Sequence, residues 1–407
     1  MKIDSLQNYR NLIFNKMLYT LTLIMVMLRK YMISILKLDS PALKIVPILF
    51  YASIALLLIQ FIMKKYHNKS EIASFLIACA LYIFTREGSI LFMILLAISI
   101  RDIDDKYVVK SYLIMTLVFM IGCMLLSNLF PYITQVEETH YRLVKGVYVL
   151  RETFGFSNPN SVFLFSLPIY AAYIFLRFDN YNRYDRLLLI VMTIFIYSQT
   201  KSRTGVLTIV CALIFVELLK VIDFKKNFYI SIIIKKLPVI LLLISIVIGT
   251  VLSKTSLFNM VLSARPAHWN SYISEFGSLF TLFGNKYSEV VQLTHPLDSS
   301  YIYTVAYLGL ITLIFILYLL HKGLDIFIEN NQKKYIAVII LFVIYSFAEN
   351  VLFEVGYNFT IILLIKTIIE KDKGRFTLID IIKLKKGRKK CLIILEEEQK
   401  VYMQIGQ

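Results

Sequence analysis

The stretch RLLLIVMTIFIYSQTKSRTGVLTIVCALIFVELL, residues 186–219, carries two apolar runs joined by the polar string Thr200-Lys201-Ser202-Arg203-Thr204-Gly205. A helix needs about 20 apolar residues to cross a bilayer core, so two such runs around a short polar string read as a membrane hairpin. The pattern recurs near 11–28, 45–63, 71–85, 89–100, 108–130, 160–177, 186–199, 204–221, 237–252, 301–320, 335–348 and 356–369. Composition agrees: 58% of the 407 residues are hydrophobic and 17% charged, and the mean hydropathy is +0.69. Such a chain is no ordinary soluble domain. It reads as an all-α polytopic membrane protein of about 12 transmembrane helices, one integral membrane domain over residues 1–407.

The first run lacks a small-residue cleavage site and reads as a retained span. Only Arg86-Glu-Gly-Ser89 separates the third and fourth runs; fused into one span, they would invert everything downstream. The basic residues argue against fusion. With the N-terminus inside, Lys64/Lys65/Lys69, Arg101/Lys106/Lys110, Arg177/Arg183/Arg186, Lys225/Lys226/Lys235/Lys236, Lys322/Lys333/Lys334 and the tail all fall on the inner side, the distribution of cytoplasmic loops. Both termini are therefore expected in the cytoplasm. The tail, 371–407, reads as a basic segment drawn to anionic headgroups. Residues 227–234 are apolar, too short to cross and bracketed by lysines, and read as lying in the inner interface. Cys79, Cys123, Cys211 and Cys391 lie singly, a spacing that predicts neither a metal site nor a disulfide.

Two long outer loops, 131–159 and 253–300 (between helices 9 and 10), hold Phe154, Phe156, Phe258, Trp269, Tyr272, Phe276, Phe280 and Phe283. Long loops rich in aromatics are expected to fold back on the bundle and roof a cavity. Three inward-running spans begin beside polar strings with helix-start chemistry. Asn158 precedes Pro159, Ser202 precedes Arg203, and Asp298 or Ser299 precedes the span at Tyr301. Each helix N-terminus carries about half a positive charge. Arg151, Arg203 and Arg265 add to that rim, and arginine at the lip of a bilayer requires a partner, which points to a bound anion.

Taken together, Arg151…Phe154-Gly155-Phe156…Asn158-Pro159-Asn160, Ser202-Arg203-Thr204-Gly205, Arg265 with Trp269, and His295-Pro-Leu-Asp298-Ser-Ser-Tyr301 ahead of Gly309 resemble Wzy-type polysaccharide polymerases. O-antigen ligases share the large outer loop and a similar arginine and histidine pattern. The resemblance implies glycosyl transfer from an undecaprenyl or similar polyprenyl-diphosphate carrier at the outer face of the bacterial cytoplasmic membrane. It implies no metal and no cofactor. A growing O-antigen, capsule or exopolysaccharide chain would pass from its carrier to one lipid-linked repeat unit. Arg151, Arg203 and Arg265 would stabilise the leaving diphosphate. His295 would take the acceptor proton, with His140 and His268 as alternatives. Asn160, Ser202, Trp269, Asp298 and Tyr301 would contact substrate, although Asn160, Asp298 and Tyr301 read equally as caps and packing. Glu349 and Asn350 are further sugar-binding candidates. The implied partners are the lipid-linked units, the bilayer, a chain-length regulator and a flippase, with no nucleic acid. A flippase for lipid-linked oligosaccharides is the competing class; it predicts internal repeats and mid-span polar groups, which the chain does not show.

Overall fold

A computed structural model describes residues 2–372 apart from 38, 65, 135–139, 145–146, 225, 276–279 and 287–296. The helices are α1 (Lys2–Ile35), α2 (Ile45–Met63), α3 (Lys69–Thr85), α4 (Ser89–Ser99), α5 (Asp105–Leu129), α6 (Pro159–Arg177), α7 (Arg183–Thr200), α8 (Arg203–Val221) and α9 (Phe228–Thr250). They continue as α10 (Ser256–Val261), α11 (Arg265–Glu275), α12 (Ser300–Tyr303), α13 (Gly309–Glu329), α14 (Lys333–Tyr345) and α15 (Phe359–Glu370). Among the described residues, seven segments are long and apolar enough to cross a membrane: Arg10–Ile35, Pro41–Met63, Asp105–Leu129, Pro159–Asn180, Arg203–Val221, Phe228–Thr250 and Ser300–Glu329. The chain is a helical protein of membrane type.

The other apolar stretches are helical too, but shorter or less apolar. Three of them form the centre. α4 buries every residue from Ile90 to Ser99, α14 every residue from Ile336 to Val343, and α15 every residue from Phe359 to Lys366. A helix apolar on all sides is one surrounded by protein, and here the longer helices supply the surround. Arg86 separates α3 from α4 by taking the left-handed conformation (φ 59°).

Three expectations need correction. Residues 227–234 are not a separate interfacial segment: α9 runs unbroken from Phe228 through Lys235, Lys236 and Pro238. Lys235 does not end the helix because it finds a carboxylate, Asp325, at 3.1 Å, while Ser231 and Ile234 are buried. The fold is not purely helical either. Loop 131–159 carries an antiparallel hairpin, β1 (His140–Val144) with β2 (Val147–Arg151), in which His140 pairs with Arg151. Finally, Ser202 occupies the start of α8 without capping it, as described below.

In the stretch 253–300, α11 packs on α9. The stretch also enters the bundle. The helical path over Ser300–Glu329 is broken by a π turn at Thr304–Leu308 and by Gly309 (φ 85°). The loop repairs the break: Leu310 N–H donates to Thr281 O (2.9 Å), Ile311 N–H to Leu282 O (3.2 Å) and Asn285 N–H to Ala306 O (2.9 Å). Gly284 lies so close that a Cβ there would sit 1.9 Å from Tyr307 O. Irregular backbone at this depth is tolerable only where protein supplies its hydrogen bonds.

Contacts between turns fall into two sets. At one end, Arg101 reaches Glu71 (2.8 Å), Asn68 reaches Ile369 O (2.7 Å), Lys366 reaches Asp105 (2.6 Å) and Lys371 reaches Glu329 (3.3 Å). At the other, Ser157 bonds Ser34 (2.8 Å), Glu152 bonds Gln199 (3.0 Å) and Lys30 pairs with Glu354 (2.9 Å). We call these the Arg101 end and the Arg265 end. The tail beyond residue 372 lies outside the described residues.

Candidate functional site

The α7–α8 turn is the hub of the Arg265 end. α7 closes with Lys201 in the left-handed conformation (φ 52°), and α8 opens at Arg203. The Ser202 N–H is taken by the Thr200 hydroxyl (3.3 Å), while the Ser202 hydroxyl is buried without a partner. The first turn of α8 is thus left without a side-chain cap. By contrast, Asn158 accepts from Asn160 N–H (2.9 Å) and caps α6, and Ser299 accepts from Ile302 N–H (3.5 Å) and caps α12.

Two polar clusters converge on this turn. In the first, Arg151 at the end of β2 donates from Nε to Thr200 O (2.7 Å) and from Nη2 to Asn160 Oδ1 (2.8 Å). It ties the hairpin to the C-terminal carbonyls of α7, where a cation is favourable. Asn160 therefore serves as the arginine's acceptor. His140, opposite Arg151, lies 3.1 Å from Ser157 O through Nε2.

In the second cluster, the guanidinium of Arg265 is buried. It donates to Asp298 (3.2 Å), to the Thr204 hydroxyl (2.9 Å) and to Glu349 (2.6 Å). Its planar fork is already filled by two carboxylates, so it does not offer a free phosphate-binding face. Burial, the largest effect, pushes the Glu349 carboxyl up to about 8, against the pull of Arg265 and with help from Asp298. Burial raises Asp298 as well, opposed by Arg265 and by the nearby His268. Two carboxylates around one arginine carry a net charge of minus one, and holding one proton neutralises the cluster.

Of the three predicted arginines, only Arg203 is open. It is exposed and makes no hydrogen bond or ion pair with any described residue. Trp269, expected as a substrate contact, and Tyr301, read equally as a contact or as packing, are both buried. Trp269 is fully buried, edge-on to Phe347 at 5.8 Å, and the Tyr301 hydroxyl donates to Val343 O (3.0 Å). His295 lies outside the described residues. Sequence reading missed the pairing of Arg265 with Glu349 and the parts played by Thr200 and Thr204. No local signal reveals a contact across 84 positions.

The arrangement offers an open guanidinium at an uncapped helix start; the next residue, Thr204, bonds an arginine that also holds a buried carboxylate, Glu349, and a half-buried one, Asp298. No protein family, characterised protein or solved structure matches this chain.

Proposed function

We propose that this chain is a polysaccharide polymerase of the bacterial cytoplasmic membrane, with twelve spans and both termini inside, acting on polyprenyl-diphosphate-linked repeat units at the outer face. The observation that supports the reading is that the open Arg203 is followed directly by Thr204, whose hydroxyl accepts from Arg265 of the Arg265–Asp298–Glu349 cluster. Topology lends support, because the parity derived from lysine and arginine puts every turn of the Arg101 end inside and every turn of the Arg265 end outside.

In the proposed reaction the acceptor hydroxyl oxygen bonds to the anomeric carbon of the growing chain. The bond from that carbon to the diphosphate oxygen breaks, and its electron pair leaves with the diphosphate. Arg203 and the N–H groups opening α8 meet the charge that develops there. The hydroxyl proton passes to the carboxylate pair, for which a value near neutrality suits a general base. Arg151 and Arg265 act by position: the first fixes the turn that presents Arg203, and the second holds the two carboxylates.

The test is what a deletion strain accumulates. Single lipid-linked repeat units should collect unpolymerised in the outer leaflet, and the purified protein should convert such units into a ladder of chains. Units confined to the inner leaflet would instead identify a flippase.

A further inference from the structure

At the Arg265 end, away from the α7–α8 turn, a cavity of ≈ 220 Å³ lies between α1, α2, the α3–α4 turn and the α14–α15 turn. That far exceeds the roughly 15 Å³ that admits one water. Five of its lining residues are charged: Arg29, Lys30, Arg86, Glu87 and Glu354. Lys30 is matched by Glu354 at 2.9 Å, and Glu87 faces the Tyr303 hydroxyl. The two arginines are not matched. Neither guanidinium makes a hydrogen bond or ion pair with any described residue, and Arg29 Nε is shut off from solvent without an acceptor. Arg29 rests instead on the Phe50 ring, 4.7 Å from its centroid.

Three further features converge there. Arg86 is held at φ 59°, a conformation uncommon for a residue with a side chain. α4, 11 residues long, opens into the cavity at Gly88 and Ser89 without any side-chain cap, so its first N–H groups are unclaimed. Gly88 is required for the geometry, since a Cβ would stand 2.6 Å from Phe50 Cζ and push away the ring that carries Arg29. An unmatched buried donor has a free-energy cost that a bound acceptor removes.

We propose that this cavity is a binding site for a phosphate or diphosphate group, gripped by Arg29 and Arg86 and seated on the N-terminus of α4. Two planar forks and a helix start suit a multi-oxygen anion better than a single carboxylate. The apolar wall of Val26, Phe50, Phe92, Phe353 and Val355 suits the chain of a lipid that bears the group. The site is separate from Arg203 and does not rest on the reaction assigned to it.

The test is equilibrium binding to the purified full-length chain in detergent, in an Arg203→Gln background that removes the open arginine of the α7–α8 turn. Inorganic pyrophosphate and farnesyl diphosphate are the two probes. Both should bind, farnesyl diphosphate more tightly if the occupant is a lipid, and the two equally if it is a soluble anion. Arg29→Gln with Arg86→Gln should weaken binding at least about tenfold, the loss of two charge-assisted contacts. The Arg29→Lys, Arg86→Lys pair keeps both charges, guards against misfolding and should still bind several-fold more weakly. Absence of binding by both probes, or binding indifferent to both double variants, would overturn the proposal.

Discussion

The two ends of the bundle treat arginine in opposite ways. At the Arg101 end, Arg101, Arg177 and Arg186 each face a carboxylate, at 2.8, 3.2 and 3.3 Å. Glu71, wholly buried, gathers both Lys64 and Arg101. At the Arg265 end, Arg29, Arg86 and Arg203 have no such partner among the described residues. Arg265 is closed there by Asp298 and Glu349, and Arg151 by Thr200 and Asn160. Charges that complete one another inside the protein belong to architecture. Charges left open at a bilayer surface belong to something that arrives.

The contrast fails outright if the ends do not lie on opposite sides of a membrane. In a cysteine-free background, a cysteine at exposed Ser256 should react with an impermeant maleimide in intact cells, and one at exposed Asn331 should not; the outcome is all or none. The reverse pattern would place Arg203 in the cytoplasm.

Next in size is the closed end. Glu71→Gln leaves Lys64 and Arg101 without their shared counter-ion and should cost about 3 kcal/mol, the low end for a broken buried pair because both cations keep some water. Thermal unfolding in detergent reads this, and turnover of the surviving folded protein should be unchanged. The open end should respond the other way. Arg203→Lys should lower the polymerisation rate on the order of a hundredfold with little change in melting temperature, because a point charge cannot reproduce the fork. Arg101→Lys should leave that rate unaltered.

The smallest effect is on pH. With Glu349 at about 8 when folded against 4.5 as its ordinary value, the folded state holds the extra proton between those limits. Stability should therefore fall as pH rises across that window, and Glu349→Gln should flatten the slope of melting temperature against pH. A slope unchanged by the substitution would remove Glu349 from the proton-holding pair.

Much of this was legible where the physics is local. The apolar stretches gave the helices, because hydropathy and length act within one segment. Asn158 was readable as a cap because its bond reaches only Asn160. Ser202 looked the same in sequence, but its hydroxyl is buried without a partner and makes no cap bond, while its own N–H goes to Thr200. The β1–β2 hairpin was missed because two five-residue strands in a polar loop leave little pattern. Trp269 was named as a contact only through the family resemblance, and its burial depends on Phe347, far along the chain. Arg29 and Arg86 were passed over because each closes an apolar run, and only the fold brings them to one cavity.

The peptide latch at 281–285 has a consequence for how the chain is made. The ribosome delivers this segment before the helix it completes, so it is already made when the broken helix forms. Until the two meet, the N–H groups of Leu310 and Ile311 and the carbonyl of Ala306 lack partners, and in lipid each such group costs several kcal/mol. The break in the helix thus makes this span depend on a segment synthesised just before it.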